Sequence, residues 1–269
     1  MSTAEQSMVA TPSFDLDTAR VVIAGGTSGV GLWTAQTLAL AGAPSMVLIG
    51  RNEDRGRAAV EQVRARCPEV EVSFLPADVN DPRQAERVTA QSQEALGGVD
   101  VLVNSTVASY SPVLLHKIPL DDVHDILVRQ SVGCLLLSRA MIDVMREQQS
   151  GSIINIASDA AKVPTPGETV LGAAMAAIVT FSQTLALEAK RYGVRVNVLT
   201  PSLIVNTGSY DRAMTAEFSK KIFDKIVSQA HLGLTEPKDL ANAILFLASP
   251  MSRRITGQVI SVNGGISIA

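Results

Sequence analysis

The sequence has little cysteine and little histidine, the residues that build disulfide frameworks and many metal sites. Its two cysteines, Cys67 and Cys134, fit no metal-binding or disulfide spacing, so we expect free thiols in a reducing compartment. Its three histidines, His116, His124 and His231, form no metal-ligand spacing either. We therefore predict no metal site.

The sequence also lacks an excess of positive charge and a signal-like N-terminus. The formal net charge is -3 and the pI is about 5.7, which gives no basic surface for nucleic acid or for an anionic membrane. The N-terminal stretch has no basic head followed by an apolar run, and we expect no later window to reach the length of a membrane span. These absences predict a cytoplasmic protein that binds neither nucleic acid nor membrane.

What the sequence does contain is a regular alternation of short β-branched runs and longer segments with helical period. This alternation is typical of βαβ units, and most runs are continuously apolar, as expected for strands covered on both faces. We predict an α/β protein, with one doubly wound Rossmann domain and a seven-stranded parallel sheet over residues 18–269. Residues 1–17 are predicted to be a disordered N-terminal extension.

The predicted strands are 20–25, 45–50, 71–76, 100–105, 152–157, 194–200 and 258–263. The predicted helices are 30–42, 53–66, 82–96, 121–148, 169–191 and 237–248. No composition shift or Pro/Ser-rich linker divides the chain, so we expect a single domain.

A glycine-rich turn follows the first predicted strand. The segment AGGTSGVG places Gly25, Gly29 and Gly31 between that strand and a helix. Glycines at such positions allow a tight turn and a close approach of the backbone to a pyrophosphate. The free N–H groups of the helix N-terminus favour its negative charge. The position of the turn in a βαβ unit predicts a dinucleotide-binding site.

This turn and five later motifs resemble those of the short-chain dehydrogenase/reductase family. The family fingerprint is TGxxxGxG, and Ala24 stands here where the family has threonine. The later motifs are ADV at 77–79, VLVN at 101–104, IINIAS at 153–158, GVRVNVLTPS at 193–202 and ITGQVISVNGG at 255–265. The resemblance covers about residues 18–265 and implies the same Rossmann fold.

The resemblance implies a nicotinamide cofactor. Asp78 and Val79 would border its adenine and Asn104 its ribose. Gly50 and Arg51 end the second strand as in the NADP-preferring members, where a guanidinium pairs with the extra phosphate, whereas an acidic residue would favour NAD. The alternative interpretation of Arg51, less favoured by the sequence, is a solvated charge at a helix start. The residues of the turn implied to hold the cofactor are Gly25, Thr27, Ser28, Gly29, Val30 and Gly31.

The family's reaction uses four side chains. A tyrosine transfers the proton, and a lysine one helical turn later lowers the tyrosine pKa and binds the nicotinamide ribose. A serine holds the substrate oxygen, and an asparagine in the preceding long helix supports a water chain. Ser158 fits the serine, although a strand-end hydroxyl bonded to backbone explains it equally well. Leu171, Met175 and Gln130 stand at the tyrosine, lysine and asparagine positions.

These replacements bear directly on the chemistry. Neither a leucine nor a methionine side chain can donate a proton at neutral pH, so the acid–base step of the family cannot use them. The family's NNAG turn is replaced by Ser105, Thr106 and Val107 after the asparagine, which puts bulk beside the cofactor. NADP is the cofactor that the resemblance favours, with NAD less favoured, and the sequence leaves open whether its binding is retained, weakened or lost.

Other polar residues could in principle replace the missing groups. Tyr110 and His116 follow the fourth strand, and Asp159, Lys162 and Thr169 lie between the serine and leucine positions. No pair among them has a spacing that a mechanism demands. We interpret each as an exposed loop residue.

Three functions stay open. The first is the non-catalytic subunit of a hetero-oligomeric alcohol- or hydroxyacyl-type dehydrogenase, paired with an active paralog. Family members assemble as dimers or tetramers through two long helices, equivalent here to the apolar segments 121–148 and 169–191. The second is an atypical NADP-linked oxidoreductase, or a lyase, isomerase or hydrolase on the same scaffold. The third is an NADP-binding sensor or regulatory protein.

Residues 202–233 are equivalent to the segment that builds the family's substrate pocket. Lys220, Lys221 and Lys225 lie there among apolar residues, which favours a bulky or anionic acyl group such as a thioester of coenzyme A. A solvated amphipathic helix explains the lysines equally well. The sequence leaves the substrate open.

Overall fold

The computed structural model describes residues 14–106, 108–215 and 217–269. Its centre is a seven-stranded parallel sheet in the order β3-β2-β1-β4-β5-β6-β7. The predicted α/β Rossmann fold is therefore confirmed, and each predicted strand lies within one residue of the observed one. The strands are β1 Arg20–Ala24, β2 Ser45–Gly50, β3 Glu71–Pro76, β4 Val101–Asn104, β5 Gly151–Ile156, β6 Val194–Pro201 and β7 Val259–Val262.

Helices cover both faces of the sheet. Two of them start at capping side chains: Asn52 Oδ1 accepts from the Arg55 N–H at 2.9 Å, and Asp81 Oδ1 accepts from the Arg83 N–H at 2.8 Å. The helices are α1 Gly29–Leu40, α2 Glu53–Arg66, α3 Pro82–Leu96, α4 Leu120–Leu127, α5 Gly133–Gln148, α6 Thr169–Ala189, α7 Gly208–Thr215, α8 Glu217–Val227 and α9 Pro237–Ala248.

Alternate residues of each strand fill two apolar layers, one on each face of the sheet. On β1, Val21 and Ile23 pack on the side of Leu38 from α1, whereas Val22 packs on the side of Leu137 from α5. All five side chains are fully buried. Each stabilises the fold by roughly 1.5–3 kcal/mol relative to an exposed position. These layers hold the carboxyl ends of the strands rigidly in place.

The predicted helix over residues 121–148 is interrupted, which corrects the sequence prediction. A π-helical turn, Val128–Val132, joins α4 to α5. Val128 and Val132 keep right-handed helical dihedrals, so the backbone stays helical from α4 through the turn to α5. Such turns are frequent at functional sites, and this one contains Gln130.

Part of the predicted N-terminal extension lies outside the described residues, as does Val107. The disorder predicted for residues 1–17 and the bulk attributed to Val107 therefore stay predictions. Within the described part of the extension, Leu16 is buried in the core, and its carbonyl accepts from the Ala19 N–H at 2.9 Å. The packed domain thus includes Leu16.

One helical segment, Thr169–Tyr192, is long and apolar enough to cross a membrane by length and composition alone. The prediction that no window reaches that length is therefore wrong. The segment packs beside β6, and its residues Ala174 and Ile178 are buried in an apolar cluster of the domain. We interpret it as a core helix.

Candidate functional site

A cleft of about 710 Å³ lies at the carboxyl ends of the strands. This is where open parallel sheets bind ligands, beside the point at which the strand order reverses, here between β1 and β4. Gly31 and Asn104 do not line the cleft. The predicted site residues that do line it are Gly25, Thr27, Ser28, Gly29, Val30, Arg51, Asp78, Val79, Gln130, Ser158, Leu171 and Met175.

The glycine turn brings three backbone segments into close contact. Gly25 has a φ of 80°, and a Cβ there would lie 2.4 Å from the Ser105 carbonyl oxygen. A Cβ on Gly31 would lie 2.2 Å from the Gly25 carbonyl oxygen. Gly31 therefore acts through the packing of α1 against the turn. Ser28, the N-cap of α1, makes no side-chain cap bond, so the N-terminal N–H groups of the helix can bind an anion.

Two arginines border the cleft where β2 ends. Arg51 follows the strand, as the sequence predicted, and Arg55 lies in the first turn of α2. Both are exposed. Sequence reasoning missed Arg55, although its position one helical turn beyond Arg51 was a usable signal. Asp78 and Val79 line the same end of the cleft.

Asn104, predicted to border the cofactor ribose, does not line the cleft. Asn104 is buried, and its amide donates to Asn155 Oδ1 at 2.8 Å and to Ser138 Oγ at 3.1 Å. Asn155 in turn donates to Ser182 Oγ at 2.8 Å. Asn104 thus ties β4 to β5 and α5 beneath the cleft floor.

Ser158 lines the cleft at the end of β5. Its Oγ accepts from the Ala160 N–H at 3.2 Å, in the 3-10 turn that follows the strand. The sequence left two interpretations of Ser158 open, and this bond to local backbone agrees with the second of them, a strand-end hydroxyl. Because the hydroxyl only accepts in that bond, its own proton is free to donate to a ligand oxygen.

Asp159 and Lys162 are not the exposed loop residues that the sequence predicted. Asp159 is 6% exposed, and its Oδ2 accepts from Asn263 Nδ2 at 2.6 Å and from Ser267 Oγ at 2.8 Å. Lys162 Nζ lies 3.9 Å from Asp159 Oδ1 and donates to Ser261 Oγ at 2.5 Å and to the Ala269 carbonyl oxygen. By contrast, His116 and Thr169 are exposed, as expected.

Glu168 is a cleft residue that sequence reasoning missed, because an acidic residue at a helix start is usually solvated. Burial raises its pKa to about 7, against the opposing effect of a hydrogen bond with Thr165. Burial, followed by the charge of Glu168, raises the pKa of Tyr110, which also lines the cleft. The Tyr110 hydroxyl donates to the Gly167 carbonyl oxygen at 2.5 Å, so Tyr110 is not an exposed loop residue.

Within the residues that the structure describes, no group of three or more His, Cys, Asp and Glu side chains could hold a metal ion. Cys67 and Cys134 are free thiols, as the sequence predicted. Burial raises the pKa of Cys134 to about 12, so this thiol stays neutral at physiological pH. Cys134 therefore supplies neither a nucleophile nor a proton.

Comparison with known proteins decides the family. The profile of the family described as enoyl-(acyl carrier protein) reductase matches residues 24–267. The chain belongs to the short-chain dehydrogenase/reductase family. The 3-oxoacyl-(acyl-carrier-protein) reductase FabG of Chlamydia muridarum is 32% identical over 251 residues, which cover 91% of this chain and 96% of that protein. The corresponding reductase of Chlamydia pneumoniae is 30% identical over 249 residues, which cover 92% and 96%.

Solved structures show the same fold. The crystal structure of levodione reductase superposes with a TM-score of 0.88 at 25% identity, covering 93% of this chain and 98% of that one.

Members of the family bind a nicotinamide cofactor, and the cleft fits the dinucleotide. Side chains at Gly25 and Gly31 would collide with backbone, so the turn stays open above the N-terminus of α1. Arg51 and Arg55 provide positive charge where the adenosine end would lie.

Leu171 and Met175, which the sequence predicted at the family's tyrosine and lysine positions, are apolar residues of the cleft. Met175 is 6% exposed and belongs to an apolar cluster with Cys134, Ala157 and Ile178, and Leu171 packs against that cluster. Both side chains also line the cleft. This part of the cleft therefore presents a hydrophobic surface.

Gln130, at the family's asparagine position, is buried in the π-helical turn. Its Nε2 donates to the Ala108 carbonyl oxygen at 3.3 Å. In the family, the water chain from this turn leads to the charged lysine. Met175, predicted at the lysine position, has no charged group for such a chain to hydrate. The amide instead anchors the loop that follows β4.

Proposed function

We propose that the chain binds NADP in this cleft and acts as the non-catalytic subunit of a hetero-oligomeric dehydrogenase of the alcohol or hydroxyacyl type. The observation that carries the proposal is the apolar surface formed by Leu171 and Met175 in an otherwise well-formed cofactor cleft. Neither side chain can transfer a proton, and without that step the family's reaction would be slower by a factor of about 100 to 10,000.

Each end of the cleft has a defined task in this proposal. The N-terminal N–H groups of α1 bind the pyrophosphate, and Arg51 and Arg55 bind the phosphate that distinguishes NADP from NAD. Bound NADP supplies hydride chemistry at its nicotinamide. Leu171 and Met175 exclude water from that ring, and Ser158 can donate one hydrogen bond to a ligand oxygen. None of these residues moves a proton between substrate and solvent.

We expect Arg51→Asp to weaken NADP binding by at least about tenfold and to leave NAD binding no weaker, because an acidic residue at this position favours NAD. The variant removes a charge-assisted hydrogen bond to the phosphate and adds repulsion. Isothermal titration calorimetry with both cofactors measures the two dissociation constants. Arg57→Asp is the matched control, because Arg57 lies six residues further along the chain on α2 and pairs with Glu53 and Asp54. An equal loss in both variants would contradict the assignment of Arg51.

The outer surface of the two long helical segments supports an oligomer. On these segments Leu120 of α4 is 89% exposed and Leu187 of α6 is 63% exposed, so a partner chain that covers both helices would bury two apolar side chains. Family members use the equivalent helices to assemble. A partner chain related to this one could cover the two helical segments through a pseudo-symmetric interface.

Native mass spectrometry of the protein isolated at natural abundance tests the subunit proposal. We expect a stoichiometric complex with a second chain of similar mass whose sequence carries a Tyr-x-x-x-Lys pair. Separating the two chains should leave all dehydrogenase activity with the partner. A pure homo-oligomer would contradict the proposal.

Glu168 and Tyr110 favour a second candidate function, an enzyme that uses the scaffold for different chemistry. A carboxyl group with a pKa of about 7 can both accept and donate a proton near neutral pH, which suits a lyase, isomerase or hydrolase or an atypical reductase. If the isolated chain turns over a substrate, we expect Glu168→Gln to remove that turnover. Unchanged turnover would exclude Glu168 as the acid or base.

A further inference from the structure

Glu168 is an acidic residue of the cleft whose carboxyl group a ligand can reach. It is half-buried and lines the cleft directly before α6. Thr165 supplies the one side-chain hydrogen bond described for it, and a single hydroxyl proton engages only one oxygen. Neither Glu168 oxygen is among the described buried atoms that lack a hydrogen-bond partner. At least one carboxylate oxygen is therefore accessible from the cleft.

The backbone around Glu168 is held in place, although its own helix does not use the carboxyl group. Glu168 is the N-cap residue of α6 and makes no side-chain cap bond. Its carbonyl oxygen accepts from the Gly172 N–H at 2.6 Å, and its N–H donates to the Thr165 carbonyl oxygen at 3.1 Å. The preceding Gly167 carbonyl oxygen accepts from the Tyr110 hydroxyl at 2.5 Å. These bonds position the side chain in the cleft wall and leave it available to a ligand.

Glu168 forms no ion pair with any residue that the structure describes. Two arginines of the cleft have other partners: Arg129 Nη2 pairs with Asp125 at 2.9 Å, and Arg212 Nη2 donates to Ser209 Oγ at 3.2 Å. Partial burial of a carboxylate without a cation costs free energy, and this cost raises the pKa of Glu168. A positively charged ligand group would offset that cost by pairing with the carboxylate.

The two other acidic residues described in the cleft wall receive hydrogen bonds from amide groups. Asp78 Oδ1 accepts from the Asn80 N–H at 3.1 Å. Asp159 Oδ2 accepts from Asn263 Nδ2 at 2.6 Å. Glu168 is thus the one of these three carboxylates without an amide donor among the described residues.

The face of α6 that continues from Glu168 along the cleft is apolar. Leu171 and Met175 follow Glu168 by about one and two helical turns, and both line the cleft. A hydrocarbon placed against them leaves water, which adds to its affinity. One carboxylate at the start of an apolar helix face therefore suits a ligand with a single positive charge and a hydrocarbon body.

The lysines of residues 202–233 do not contribute to this wall. Lys220, Lys221 and Lys225 do not line the described cleft. Lys220 pairs with Asp224, and Lys221 pairs with Glu217, each at 3.0 Å on α8. These lysines lend no support to a thioester of coenzyme A as the ligand.

We infer that the cleft binds a primary amine with an apolar body, whose ammonium group pairs with Glu168 and whose body contacts Leu171 and Met175. This inference names the ligand class of the cleft and rests on the proposed use of the cleft for ligand binding. Glu168 acts here as a binding residue, and no proton transfer is required of it.

Ligand-observed NMR titration of the full chain in the presence of NADP tests the inference at pH 8, above the Glu168 pKa of about 7. The probe pairs are hexylamine with hexan-1-ol and benzylamine with benzyl alcohol, which differ in charge and hardly in size. We expect each amine to bind at least about tenfold more tightly than its alcohol, as a charged hydrogen bond requires. Glu168→Gln should abolish that preference. Glu188→Gln is the matched control, because Glu188 is exposed on the same helix.

Equal affinity for amine and alcohol, absence of binding by either amine, or a preference that survives in Glu168→Gln would each overturn the inference. An NADP titration of the same samples separates it from the proposed cofactor role. Retained NADP binding without amine binding rejects the ligand class and leaves the cofactor role in place, and an amine preference without NADP binding does the reverse. Retained NADP binding in Glu168→Gln also shows that this variant is folded.

Discussion

Replacing Glu168 with glutamine should stabilise the protein by about 2 kcal/mol at pH 8 and by less than about 1 kcal/mol at pH 5. Burial raises the pKa of Glu168 from its ordinary value of 4.5 to about 7. Between pH 4.5 and about pH 7, the Glu168 carboxyl group of the folded protein holds a proton that the same group of the unfolded chain has released. The free energy of unfolding therefore falls as the pH rises through this window and stays lower above it. The full shift corresponds to at most about 3 kcal/mol.

Urea denaturation of wild type and Glu168→Gln at both pH values measures the effect. Glutamine keeps the shape and hydrogen-bonding capacity of the side chain and removes only its titration. Glu61→Gln is the control, because Glu61 is exposed on α2, and its effect should stay within about 0.5 kcal/mol at either pH. A Glu168→Gln effect of equal size at pH 5 and pH 8 would show that the carboxyl group is solvated.

Gly31→Ala should have the second large effect, a destabilisation of about 2–3 kcal/mol and a loss of NADP affinity of more than about tenfold. The new methyl group would lie 2.2 Å from the Gly25 carbonyl oxygen, so α1 must move away from the turn. That movement carries the N-terminal N–H groups of α1 out of reach of the pyrophosphate.

Thermal unfolding and calorimetric titration with NADP measure the two consequences. Gly42→Ala is a matched control, since a Cβ at Gly42 meets nothing within 4 Å and only its φ of 103° disfavours alanine. We expect this control to cost about 1 kcal/mol and to leave NADP binding unchanged. If Gly31→Ala behaved like Gly42→Ala, the close approach of α1 to the turn would not matter for the cofactor.

The sequence predicted the sheet well because most strands are continuous apolar runs bounded by turns. Val21, Val22 and Ile23 are buried on alternate faces, and no other element type suits so short a run covered on both sides. The glycine turn was equally predictable. Gly25 and Gly31 stand where only a hydrogen side chain fits, and that constraint fixes their spacing.

Polar contacts between distant segments could not be predicted. Asp159 finds its partners 104 and 108 residues later in the chain, at Asn263 and Ser267. The burial that raises the pKa of Glu168 likewise depends on the folded cleft and has no local sequence signal. Asn104 was assigned to the cofactor from the resemblance, but the register of β4 against β5 places Asn104 opposite Asn155 inside the domain.

Asp159 also connects two parts of the molecule that would otherwise fluctuate separately. It directly follows Ser158 in the cleft wall, and its carboxylate holds Asn263 and Ser267 beyond the last strand. If the C-terminal segment detaches, the buried Asp159 carboxylate loses the hydrogen bonds from Asn263 and Ser267. Because Asp159 follows Ser158 directly in the chain, we expect opening of that segment to destabilise the cleft wall as well. The amide hydrogens of both regions should exchange with solvent in one cooperative step, and a ligand bound at Ser158 should slow exchange in the C-terminal segment.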